Sequence, residues 1–165
     1  MGKAKHVALC AVLVALALAL SFMERFLPVL PLPGAKLGLA NIITLVALCL
    51  LKKRYAAMIL LCRCILGAIF GGGITGLLFS LWGGTLAFAV MVLATKAGCF
   101  SVFGISVLGA AGHGIGQISV AMVLMGSVAA GAYLPWLLLT GILTGLLTGG
   151  LCATVLKALG KGAKV

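Results

Sequence analysis

The sequence predicts an all-α integral membrane protein, a single domain of six transmembrane helices with both ends on the cytoplasmic side. Three observations predict it. Apolar residues make up 64% of the chain and charged residues 8%, too little polar surface to clothe a soluble fold. The apolar residues fall into runs close to the roughly 17–25 residues that cross a bilayer as a helix. The basic residues punctuate those runs instead of gathering on one face, which is how a topology signal is written.

The first span covers about 7–23. Lys3 and Lys5 before an apolar run imitate a secretory leader, but Glu24 and Arg25 follow where a small-residue cleavage site would stand, so the segment reads as a retained helix. Ala4, Ala8, Ala11, Ala15 and Ala19 fall within about 80° of one another on a helix. They form a flat strip suited to a partner helix, with Ala11, Ala15 and Ala19 as its docking residues. Glu24 is the one acidic residue of the 165, and a helix that reaches it turns it about 180° from the strip, inward.

The stretch 25–36, RFLPVLPLPGAK, carries three prolines that stiffen a loop without needing backbone donors. The second span, about 37–51, is short and uses Lys36 as a snorkelling end. The third, about 55–71, holds Arg63 at mid-depth, with Ala56, Gly67 and Gly71 on the same face. The fourth, about 74–95, is separated from it only by glycines 71–73, so one broken span there would give five helices. The fifth, about 104–126, carries His113 and Gln117 one turn apart among Gly112, Gly114 and Gly116. Such glycines admit close backbone approach or a local break in the helix. The sixth, about 134–156, has a packing ridge of Gly141, Gly145 and Gly149 beside threonines.

Orientation follows from the cations. With the N-terminus inside, Lys3, Lys5, Lys52, Lys53, Arg54, Lys96, Lys157, Lys161 and Lys164 are cytoplasmic, nine against Arg25 and Lys36 outside. The net charge of +11 therefore reads as topology in a cell-membrane protein and not as a nucleic-acid surface. The six cysteines sit mostly in apolar runs without a Cys-x-x-Cys, as small buried hydrophobes and not metal ligands.

Polar groups within spans are costly and point to function. Glu24, Lys36, Asn41, Arg63, His113 and Gln117 outline a pocket open to the outside, with the proline loop over it. Arg63 and His113 offer donors to an anionic group; Glu24 and Lys36 at the rim suit an amine or hydroxyl. No phosphate-binding Gly-x-x-x-x-Gly-Lys-Ser/Thr run is present, and no aspartate to hold magnesium on a diphosphate. No enzymatic activity, cofactor or metal is expected; a binding subunit that relies on partners is.

Four stretches carry a resemblance: ERFLPVLPLPGAKLGLANI, Arg63 in LLCRCILGAIFGGG, FSLWGGTLAF, and GISVLGAAGHGIGQISVA. Together they resemble the Gx transporter family, whose members are also described as heptaprenyl diphosphate synthase component I. The resemblance covers about 7–130 and is most specific at Lys36–Gly38–Asn41 and His113–Gln117; it departs at Gly114, where asparagine is expected. That family is similar to the substrate-binding S components of energy-coupling factor transporters. The resemblance implies a six-helix, N-in bundle whose alanine-strip first helix docks on a transmembrane T component. Two ATPase subunits would power toppling of the S component with its solute. Two functions of different class remain open: capture of a small anionic or zwitterionic solute for transport, or a noncatalytic membrane subunit in isoprenoid–quinone synthesis or quinone-linked electron transfer.

Overall fold

The structure, a computed structural model, describes residues 3–26, 36 and 38–160, and the side chains of all of these but Lys3 and Arg25. Every regular element among them is helical. The α-helices are α1 (Lys3–Met23), α2 (Asn41–Leu50), α3 (Lys53–Gly67), α4 (Gly73–Ala97), α5 (Val102–Met125) and α6 (Leu134–Ala158). Single tighter turns follow α1 at Glu24–Phe26 and precede α6 at Val128–Tyr133.

Among the described residues, four helical stretches are long and apolar enough to cross a membrane: Ala4–Met23, Lys53–Ala97, Val102–Met125 and Val128–Ala158. The second of these is 45 residues long, but it is not straight. Phe70 (ψ 34°) and Gly71 (φ 102°) leave helical geometry, and Gly73 also takes a positive φ of 60°, a region that glycine enters without a Cβ clash. The chain reverses there, because a Cβ on Gly84 of α4 would lie 2.8 Å from Leu60 Cδ1 and 3.3 Å from Arg63 Nη2 of α3. Helical geometry holds through Gly67 and Ala68 and is first lost at Phe70 and Gly71, where the third span is expected to end, so Arg63 stands about two turns below the reversal.

The short helix α2 is the centre of the molecule. All its residues from Asn41 to Leu48 are buried, and α1, α3, α4, α5 and α6 each pack on it. Its apolar side chains form the main core with Leu13 and Ala17 of α1, Ile59 of α3, Met91 of α4, Ile105 of α5 and Leu156 of α6. A helix apolar on every side is one that neighbours enclose.

Glycine sets the spacing of α4, α5 and α6. On α5, Gly109, Gly112 and Gly116 face α4, where added Cβ atoms would meet Met91 Cγ at 2.7 Å, Val90 Cγ2 at 3.1 Å and Gly83 Cα at 2.7 Å. On α6, Gly141, Gly145 and Gly149 meet Ala110, Val107 and Phe103 of α5, so the expected ridge packs as a small-residue seam. The glycines around His113 serve close approach: α5 runs unbroken from Val102 to Met125.

The exposed cations Lys5, Lys52, Lys53, Arg54, Lys96 and Lys157 lie at the bundle end where α1 and α3 begin, an end joined by the His6–Tyr55 ring contact at 5.7 Å. Glu24 and Lys36 belong to the opposite end. Lys161 and Lys164 lie outside the described residues.

Candidate functional site: a buried polar cluster around the start of α2

Glu24, Asn41, Arg63, His113 and Gln117 are all buried, at 1–8% exposure, and Lys36 is half-buried. Local sequence explains how each arrives. On α1, Leu13, Ala17, Ser21 and then Glu24 are buried while Ala4, Ala8, Ala11, Ala15 and Ala19 are exposed. The last turn thus delivers the carboxylate inward, opposite the alanine strip. Gly38 turns the chain into α2 with φ +83°, and Asn41 N–H and Ile42 N–H donate to the Gly38 and Leu39 carbonyls at 2.9 and 3.1 Å. This turn ends the second helix at Asn41 instead of 37, because residues 38–40 form a cap against α5.

The contacts join four elements. The Leu39 N–H donates to Glu24 Oε1. Lys36 Nζ donates to Ser80 Oγ of α4 at 2.8 Å. Arg63 Nη2 donates to Asn41 Oδ1 at 3.0 Å. Gln117 Nε2 lies 3.0 Å from His113 Nε2, and His113 Nδ1 has no hydrogen-bond partner among the described residues. That edge of the ring faces α4, where a Cβ on Gly83 would come within 2.9 Å of Nδ1. Glycines 83 and 84 therefore admit two site residues from two sides, His113 at the first and Arg63 at the second. Gly38 packs on the other ring edge, its Cβ position 3.0 Å from His113 Cδ2 and 3.1 Å from Asn41 Nδ2.

Several buried polar atoms of the cluster have no hydrogen-bond partner among the described residues: Asn41 Nδ2, Thr44 Oγ1, Arg63 Nε and Gln117 Oε1. Each unpaired polar atom in a dry interior costs about 1–3 kcal/mol. Their gathering in one place is the mark of groups kept for a ligand or for water. Burial pushes the Glu24 carboxyl above its ordinary value; the Leu39 N–H and the charges of Arg63 and Lys36 pull the other way.

The void beside Lys36, His113, Gln117 and Thr140 is about 10 Å³, room for one water. Most of the proline stretch expected to cover the pocket, 27–35, lies outside the described residues.

Three contributors escape the sequence reading. Ser80 receives Lys36, which thereby reaches into the bundle instead of snorkelling to the rim. Thr44 is fully buried; it and Asn41 are the only polar side chains of α2, three residues apart and so on one face, a signal present in the sequence. Thr140 lines the void from α6.

A family model described as heptaprenyl diphosphate synthase component I matches residues 13–156, a stretch that contains every residue of the cluster. Comparisons with curated proteins and with solved structures return no match.

Proposed function

The chain belongs to the heptaprenyl diphosphate synthase component I family, and we propose that it serves as the noncatalytic, solute-binding membrane subunit of an energy-coupling-factor-type transporter. The solute is a small anion or zwitterion, taken from outside into the cluster of Glu24, Lys36, Asn41, Arg63, His113 and Gln117. The observation that carries this reading is the set of unpartnered buried polar atoms on Asn41, Thr44, Arg63 and Gln117, inside a chain that is otherwise apolar. The reading includes six spans in the cell membrane, with α2 as the short one and both termini cytoplasmic. The reversal at 68–73 and the cations gathered at one end of the bundle support that topology. The exposed face of Ala11, Ala15 and Ala19 is the docking surface for a T component, which brings the ATPase subunits.

The test is native mass spectrometry of the purified protein, followed by titration of whatever small solute is found. A bound anion or zwitterion that Arg63→Gln loses supports the reading; a protein that never carries one refutes it. The family description itself favours a second reading, a membrane subunit attached to isoprenoid diphosphate or quinone synthesis. Purification from native membranes separates the two: T-component and ATPase chains accompany the first, a prenyl synthase or flavoprotein the second.

A further inference from the structure

The turn that opens α2 is an anion site in its own right, and it is filled by the protein. Leu39 N–H donates to Glu24 Oε1, the Gly38 N–H is also within reach of that carboxylate, and Arg63 and Lys36 are the cations whose charge it feels. Two side chains more than nine-tenths buried stand at this turn with donors unspent. Asn41 Nδ2 has no partner among the described residues and faces the turn, 3.1 Å from the Cβ position of Gly38. Arg63, whose Nη2 is bonded to Asn41, keeps an Nε that has none among them either. Arg63 and Lys36 supply two positive charges here against the single carboxylate of Glu24.

Building on the reading of the cluster as a solute site, we propose that Glu24 is a built-in competitor. The Gly38–Leu39 turn, Asn41 and Arg63 form a carboxylate hole that Glu24 occupies, and the carboxylate of a solute enters by displacing it. Glu24 thus excludes weak anions and is not a contact for the solute's amine. Its grip is limited, because burial penalises its charge, and release toward the mouth of the site restores its hydration. The incoming anion brings its own charge to the same donors, and charge-assisted bonds of this kind are among the strong ones.

Chemical rescue tests this with acetate as the probe, acetamide as its neutral isostere and chloride to match ionic strength. Glu24→Ala vacates the hole and should lower the thermal midpoint of the detergent-solubilised protein by a few degrees. Acetate should restore it saturably, acetamide and chloride should not, and the wild-type midpoint should stay where it is. Equal effects of acetate and acetamide, or acetate stabilisation of the wild type to the same extent, would overturn the proposal. Should Glu24→Ala fail to fold, Glu24→Gln labelled with 15N-leucine replaces it: acetate should move the Leu39 amide resonance in the variant and not in the wild type, and a static resonance in both refutes the hole. Rescue in a protein that captures no solute would leave the hole standing and remove the transport reading. A bound solute without rescue would do the reverse.

Discussion

Gly83 and Gly84 stand side by side on α4 and serve different neighbours. A Cβ at Gly83 would press within 2.9 Å of His113 Nδ1 and 3.1 Å of the His113 carbonyl oxygen. The backbone atom cannot swing away, so Gly83→Ala should cost about 1–3 kcal/mol through overpacking and turn His113 out of its bond with Gln117. Gly76, on the same helix, has nothing within 4 Å of its Cβ position. Gly76→Ala should be neutral or stabilising by up to about 1 kcal/mol, the helix-propensity difference. Unfolding both variants in detergent checks the pair, and equal costs would mean that the close approach is not tight. Arg63→Gln removes charged donors from a dry site and should weaken an anionic ligand by about 2–3 kcal/mol. Lys36→Gln should cost less, because Lys36 is only half-buried. Isothermal titration of both variants decides it, and unchanged affinity in Arg63→Gln makes that residue structural. At this scale the sequence is readable where a polar residue is rare: one acid, one arginine inside an apolar run, one His–Gln pair. It is silent where the partner is common. Nothing about Ser80 separates it from other serines until Lys36 is seen to reach it.

Among the elements, α5 and α6 show how glycine period becomes contact. A Cβ on Gly145 would lie 2.7 Å from Val107 Cα, a backbone atom, whereas one on Gly150 would sit 3.6 Å from Phe103 Cε1, ordinary contact. Gly145→Ala should therefore spread the two helices and lower the midpoint, and Gly150→Ala should be tolerated; thermal unfolding of the two variants is the check. Loosening this seam also strains Ser106, whose hydroxyl meets Thr148 across it at 2.8 Å. The extents of α5 and α6 are legible from hydropathy to within two residues at each end, since long apolar runs with clear polar flanks leave little choice. The start of α2 is not. It is set by Gly38 in positive φ, and a glycine in sequence does not say whether it turns the chain or packs a helix. The glycines flanking His113 illustrate the ambiguity: they look like a break and prove to be a packing face. For α1, the Ala15→Trp variant should lose its T component on copurification and keep its solute, because Ala15 is exposed and far from the cluster's buried face. Normal copurification would place docking elsewhere.

Over the whole molecule, charge is sorted by end. Lys5, Lys52, Lys53, Arg54, Lys96 and Lys157 are exposed where α1 and α3 begin, and the one acidic side chain, Glu24, is buried at the opposite end. In a cysteine-free background, a cysteine at Lys5 or Lys96 should resist a membrane-impermeant maleimide in intact cells and react after permeabilisation. Labelling from outside would invert the proposed topology. The composition announces the membrane plainly; the narrow void beside Lys36 does not follow from it. A void of about 10 Å³ depends on how Lys36 and the turn at 38–40 settle against α5, and those are contacts between residues far apart in the chain.

The position of α2 has a consequence for how the protein is made. Its ten residues rise about 15 Å, half of a hydrocarbon core of about 30 Å. Alone in the lipid it would leave helix ends unbonded at depth, a costly state for any segment emerging from the translocon. It becomes stable only when α3, α4, α5 and α6 have closed around it. The segment that carries Asn41 and Thr44 must therefore wait for the C-terminal half of the chain to be synthesised. The expected order of biogenesis is therefore outside-in, with the frame entering the bilayer first and the helix at the heart of the site finding its place last.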